Sequence, residues 1–118
     1  MFVYEFRYKL TPDADAEEMV RLVDELALPV FARSPGCISA TLLKYKPHRT
    51  ADPDAELEWD YVFVVIWESE EAATKALEDK YVGGAPDSQL TKTGIFEKFW
   101  PMTEKTFHIN ATTVISTK

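Results

Sequence analysis

The sequence is short of several things, and each shortage closes off a class of function. Its single cysteine, Cys37, cannot form an internal disulfide, so a reducing, cytoplasmic setting is the default expectation. Its two histidines, His48 and His108, stand far apart, and no Cys/His cluster has metal-ligand spacing, so neither zinc nor iron is expected. Thirteen Lys and Arg face twenty Asp and Glu, giving a net charge of −7. That lacks the basic footprint which nucleic-acid phosphates or an anionic membrane surface would require. The four glycines form no phosphate-binding loop, and there is no Gly-x-Ser-x-Gly elbow. No stretch approaches the ~20 apolar residues of a membrane span. The opening MFVYEFRYKL alternates apolar with charged residues, unlike a signal peptide. Without secretion, Asn110-Ala111-Thr112 matches a glycosylation acceptor only by chance.

What is present reads as one domain over residues 1–118. Aromatics reach 13% and sit mostly inside predicted elements, which implies a dense core or an aromatic-lined pocket. The chain is organised around Trp59–Leu77. WDYVFVVIW is a strand apolar on both alternating faces, so it needs cover on both sides. ESEEAATKAL follows at once as a helix, with Ser69 as N-cap and Glu70 and Glu71 against the positive end of its dipole. Its buried stripe, Ala72, Ala73, Ala76 and Leu77, is small, which permits either close packing on the sheet or space for a ligand.

Before this stretch, Phe2, Tyr4, Phe6, Tyr8 and Leu10 alternate with Val3, Glu5, Arg7 and Lys9, a strand with one apolar face. Asp15 and Glu18 have capping-box spacing. Met19, Leu22, Val23, Leu26, Ala27 and Val30 then follow helical periodicity. Pro29 predicts a kink there, or a stop near Leu28. Ser34-Pro35-Gly36 is a turn, and Cys37–Tyr45 a second strand with Ile38, Ala40 and Leu42 on one face. Residues 47–58 read as an exposed connection, with His48, Asp52, Asp54, Glu56 and Glu58 solvated. Gly83-Gly84 ends the second helix. Residues 86–100 suggest one or two short helical turns, and 106–116 a last strand.

The order strand, helix, strand, strand, helix, strand is a split β-α-β arrangement of the ferredoxin-like type, α+β in class. It predicts a four-stranded antiparallel sheet with two main helices on one face. The other face would leave Val62, Val64 and Ile66 bare, so a two-fold homodimer is expected to cover it.

Pro35-Gly36-Cys37 opening the second strand, and VVIWESEEAATKAL from third strand into helix, resemble the antibiotic biosynthesis monooxygenase-like family of the dimeric α+β barrel superfamily. The resemblance implies a pocket in each subunit between sheet and helices, and it implies that Trp67 lines it. The Trp67 indole N–H could then donate to a substrate carbonyl or developing oxyanion; the alternative is a core tryptophan. Tyr4, Phe6 and Tyr8 share a face with Tyr61, Phe63, Val65 and Trp67, and these residues together with Phe96 form the expected pocket set. Phe96, Phe99 and Trp100 form either a satellite hydrophobic cluster or a lid. Cys37 reads as a small buried apolar residue.

Two functions compete. One is a cofactor-independent monooxygenase or related tailoring enzyme acting on a small aromatic or polyketide-like substrate. The other is a non-catalytic dimeric module that binds a small ligand or serves as a scaffold. The family's heme-degrading branch pairs the tryptophan with an Asn on the first strand and a His on the second helix; Phe2–Leu10 and Ser69–Tyr81 have neither, so no heme is expected. His108, the weaker catalytic candidate, alternates with Phe107, Ile109 and Ala111. It is expected at the dimer interface with Val62, Val64 and Ile66, paired with Glu5, rather than in the pocket as a base.

Overall fold

A computed structural model covers residues 1–118 and describes 1–46, 58–78, 81–104 and 108–118. Expectations for His48, the acidic run 52–56 and Phe107 lie outside the described residues, as does the His108 side chain. The strands are β1 (Phe2–Tyr8), β2 (Cys37–Lys44), β3 (Tyr61–Trp67) and β4 (His108–Thr113). They form one antiparallel sheet in the order β2-β3-β1-β4, as the ferredoxin-like arrangement requires. The most apolar strand, β3, and the aromatic β1 occupy its middle.

Register divides the sheet into two unlike faces. Phe2, Tyr4, Phe6 and Tyr8 pair with Trp67, Val65, Phe63 and Tyr61, and Ala111 and Ile109 flank them from β4. This face meets the helices and builds the core with Met19, Leu22, Val30 and Phe31. On β2 the expected phase slips by one residue. A bulge between Cys37 and Ser39 puts Cys37, Ala40 and Leu42 in line with Trp67, Val65 and Phe63, and leaves Ile38 52% exposed instead of sharing the face of Ala40.

The first helical segment is continuous but changes pitch. Asp15 Oδ1 accepts from the backbone N–H groups of Glu17 at 3.0 Å and Glu18 at 3.2 Å, capping α1 (Ala16–Leu22). The reciprocal half of a capping box is missing, because Glu18 pairs with Arg21 instead. A π-helical turn, Val23–Ala27, follows before α2 (Leu28–Arg33). Pro29 explains it. A proline has no N–H for the carbonyl four residues back and its ring crowds that group, so the widened turn before it accommodates both defects. The helix neither stops nor simply kinks; it re-registers.

Gly36, at φ +82°, closes the turn into β2, and a Cβ there would lie 2.5 Å from Ala72 Cβ. The small stripe of α3 (Glu70–Glu78) is thus explained at its first turn by close approach. Ser69 Oγ accepts from Ala72 N–H at 3.1 Å, as its N-cap position predicts. The described part of α3 ends at Glu78, short of Gly83-Gly84. Two short helices, α4 (Gln89–Lys92) and α5 (Ile95–Phe99), and a 3-10 turn (Trp100–Met102) complete the helical layer.

The outer face carries a polar cluster among its valines. Glu5 and Arg7 approach at 3.5 Å. In the amide orientation that its surroundings require, Asn110 accepts from Arg7 Nη1 at 3.0 Å and Nη2 at 3.1 Å. Register sets Asn110, not His108, across from Glu5; His108 stands across from Arg7. Val62 is buried here, whereas Val64 and Ile66 are half-buried.

Candidate functional site

A cavity of about 310 Å³ lies between sheet and helices. Phe6, Tyr8 and Phe63 form its floor on β1 and β3, Ile109 of β4 its flank, and Val23, Ala27 and Phe31 one wall. Leu77, Val82 and Leu90 add a second wall, and Ile95, Phe96, Phe99 and Trp100 the end nearest α5. Ile109 is 54% exposed and Trp100 41%, which marks the mouth.

Three rings of the lining pack against one another, two pairs edge-on and the Phe6–Phe63 pair tilted. Phe31 and Phe63 centroids are 4.8 Å apart at 64°, Phe6 and Phe63 5.9 Å apart at 57°, and Phe6 and Phe31 6.1 Å apart at 62°. Such pairs fix ring positions with roughly 0.5–1.5 kcal/mol each beyond burial. At the mouth, Phe96 and Trp100 stack at 5.9 Å with planes 8° apart. Gly94, at φ +78°, starts α5, and Pro101 sits in the 3-10 turn that ends the segment.

Among the described residues of this lining, only Tyr8 and Trp100 carry a polar side-chain atom. Tyr8 is 1% exposed, and its hydroxyl donates to Met19 Sδ at 3.0 Å. Burial, with a smaller contribution from Tyr61, pushes its phenol pKa far above the usual range, so it stays a protonated donor. Its ring stacks on Tyr61 at 5.6 Å and meets Phe99 edge-on at 5.0 Å. No carboxylate, imidazole or amine belongs to the lining among the described residues. Among the described residues, no group of three or more His, Cys, Asp or Glu side chains could hold a metal ion. None of their helices is long and apolar enough to cross a membrane.

Of the eight residues expected in the pocket, Phe6, Tyr8, Phe63 and Phe96 line the cavity. Tyr61 instead borders a shallow depression with Ala16, Glu17, Val20, Leu42 and Lys44. Burial and the nearby Asp60 carboxylate raise the Tyr61 phenol pKa. Tyr4, Val65 and Trp67 lie outside both linings. Trp67 is wholly buried at the Phe2 end of the sheet, and its indole N–H has no acceptor among the described residues. Cys37, its neighbour across β2, is half-buried, and burial raises its thiol pKa. Phe99 and Trp100 sit at the cavity rather than in a separate cluster. The contributions of Val23, Ala27 and Phe31 were not foreseen. Helical periodicity places Val23 and Ala27 on the core face, but periodicity does not show which core positions border a void.

This architecture agrees with what the chain matches. The antibiotic biosynthesis monooxygenase family model matches residues 1–83, and the chain belongs to that family. Three solved structures illustrate the fold. HapK from Hahella chejuensis aligns at TM-score 0.65 and 14% identity, over 100% of this chain and 96% of its own. A dabb family protein with a ferredoxin-like fold, from Mesorhizobium loti, gives 0.61 and 14% over 98% and 97%. SnoaB, a cofactor-independent oxygenase from Streptomyces nogalater, gives 0.58 and 20% over 98% and 92%. Among curated proteins, none matches this sequence.

Proposed function

We propose that the chain is a monooxygenase of the cofactor-independent kind, oxidising a small, uncharged, electron-rich phenol in the cavity over Phe6, Tyr8 and Phe63. The observation that carries this reading is an aromatic cavity of about 310 Å³ with no charged side chain among the described residues of its lining, in a chain of the monooxygenase family. That volume is at the lower end of ligand pockets, roughly 300–1,000 Å³, and suits two or three fused rings. SnoaB, whose fold this chain shares at 20% identity, is a cofactor-independent oxygenase.

The reaction needs no cofactor electrons, because the substrate supplies them. A phenol loses its O–H hydrogen and one ring hydrogen, dioxygen takes four electrons, one oxygen atom becomes the second quinone carbonyl, and the other leaves as water. The protein holds the ring against the phenyl floor and excludes water from it. Tyr8 takes the donor role: its hydroxyl exchanges a sulfur acceptor for the substrate oxygen, a stronger partner. Since the described residues of the lining hold no base, the phenolic proton leaves to water at the mouth beside Trp100.

A second copy on the outer sheet face completes the reading, with Val62, Val64, Ile66 and His108 at the interface. The half-buried Val64 and Ile66 support it. The test is oxygen uptake by purified protein with hydroxynaphthalenes and hydroxyanthracenes, using ¹⁸O₂. One labelled oxygen in the quinone and one in water is expected. Saturable binding of these phenols with oxygen uptake no faster than in buffer would instead establish the ligand-binding module.

A further inference from the structure

We infer that Ala27, on the π-helical turn, determines how many fused rings the cavity admits. The inference rests on the cavity being the ligand site. Among the described residues of the lining Ala27 has the smallest side chain; every other one is valine or larger. It is buried within the core yet borders the void, so the missing side-chain volume at this position is part of the cavity itself.

The backbone fixes that arrangement. The N–H of Leu28 reaches back to Val23 O, an i→i+5 bond that closes the π turn. In this wider turn Val23 and Ala27 are presented to the same void, facing the phenyl floor of Phe6 and Phe63. Pro29 pins the turn in place, since an α-helical register would set its ring against the Glu25 carbonyl. Single-turn π segments recur at functional sites because they re-aim side chains that an α-helix would place elsewhere. Here the π turn carries two wall residues of the cavity, a valine and an alanine.

A wall of this kind discriminates by size alone. A leucine at position 27 takes up volume in a cavity of about 310 Å³ that a third ring needs but a second does not. Removing two methyl groups from Val23 acts in the opposite sense.

The experiment titrates Ala27→Leu and Val23→Ala with 2-naphthol and 2-hydroxyanthracene, following ligand fluorescence without turnover. Ala27→Leu is expected to weaken the three-ring probe about tenfold or more and the two-ring probe less than about threefold. Val23→Ala should shift the preference toward the three-ring probe, and Glu25→Ala, on the exposed side of the turn, should change neither. Thermal unfolding of each variant confirms that it is folded; should Ala27→Leu fail to fold, Val23→Ala carries the test alone. Equal weakening of both probes by Ala27→Leu, or no shift of preference in Val23→Ala, overturns the inference while leaving the cavity as ligand site. Wild-type protein that binds neither probe overturns both.

Discussion

The Tyr8 hydroxyl donates to the Met19 sulfur across 3.0 Å, joining the floor strand of the cavity to the helix above it. A thioether is a weak acceptor, and both residues are almost fully buried. Met19→Leu keeps the volume and removes the acceptor, so it should cost on the order of 1 kcal/mol in urea unfolding. Tyr8→Phe should cost less when combined with Met19→Leu than it does alone. Strict additivity of the two changes would show that the contact contributes nothing.

The same phenol sets a pH dependence. Its pKa is raised in the folded protein relative to 10.0 in a free side chain, chiefly by burial. The unfolded chain therefore loses this proton first as pH rises. The stabilisation is fully present below pH 10.0 and declines above it toward the folded value. Wild type should lose more stability than Tyr8→Phe between about pH 8 and pH 11. An identical loss in the two proteins would assign the alkaline transition to other groups, Tyr61 among them.

Gly36 packs directly against Ala72 in the first turn of α3. Gly36→Ala meets two penalties, the left-handed φ of +82° and a 2.5 Å contact with Ala72 Cβ. Together they should destabilise by about 2–4 kcal/mol. Adding Ala72→Gly relieves the contact but not the dihedral strain, so the double variant should recover part of the loss in thermal unfolding. Full recovery, or none, would mean that only one of the two causes operates.

The Trp67 indole N–H is a buried donor without an acceptor among the described residues, yet Trp67 stands away from the cavity. Phe63, on the floor, is four residues back on the same strand, roughly 13 Å at about 3.3 Å per residue. A ligand of two or three rings on the floor does not span that distance. Trp67→Phe is therefore expected to leave probe binding and turnover within about threefold of wild type. A turnover loss of about a hundredfold with binding retained would give the oxyanion-donor role back to Trp67.

These cases also show which parts of the architecture were legible from sequence. Period-two alternation in Phe2–Tyr8 and Tyr61–Trp67 gave the strands, their shared face and, through Phe6, Tyr8 and Phe63, the cavity floor. Ser69 and Asp15 announced their helices because capping is a local interaction. Ile38 was misplaced because a bulge costs a single residue of phase and leaves no mark in composition. The cavity's position was hidden for a related reason. Alternation says which face Trp67 and Phe63 share, but not which end of that face the helices leave uncovered. That depends on the π turn before Pro29 and on α4 and α5, whose placement is tertiary. Glu5 was expected to meet His108, and meets Asn110 across the strand pair instead, because β4 pairs two residues out of the assumed alignment.

The outer sheet face carries the last prediction, the homodimer. Val64 is half-buried and pairs with Glu5 on one side and Thr41 on the other. Apolar residues there argue for cover by a second copy, but the Glu5, Arg7 and Asn110 cluster beside them means that charge is tolerated when it has a partner. The sign of a substituted charge should therefore matter. Val64→Lys sets a cation across from Glu5, while Val64→Asp sets two carboxylates opposite each other, which destabilises a strand pair. Wild type should sediment as a dimer at micromolar concentration. Val64→Lys should sediment as a folded monomer with an unchanged circular dichroism spectrum, because the interface then has to bury a charge with no partner across it. Val64→Asp should be less stable than Val64→Lys by on the order of 1 kcal/mol, the difference coming from the cross-strand pair. A monomeric wild type, or a Val64→Lys protein that remains dimeric, would place the subunit contact elsewhere or remove it altogether.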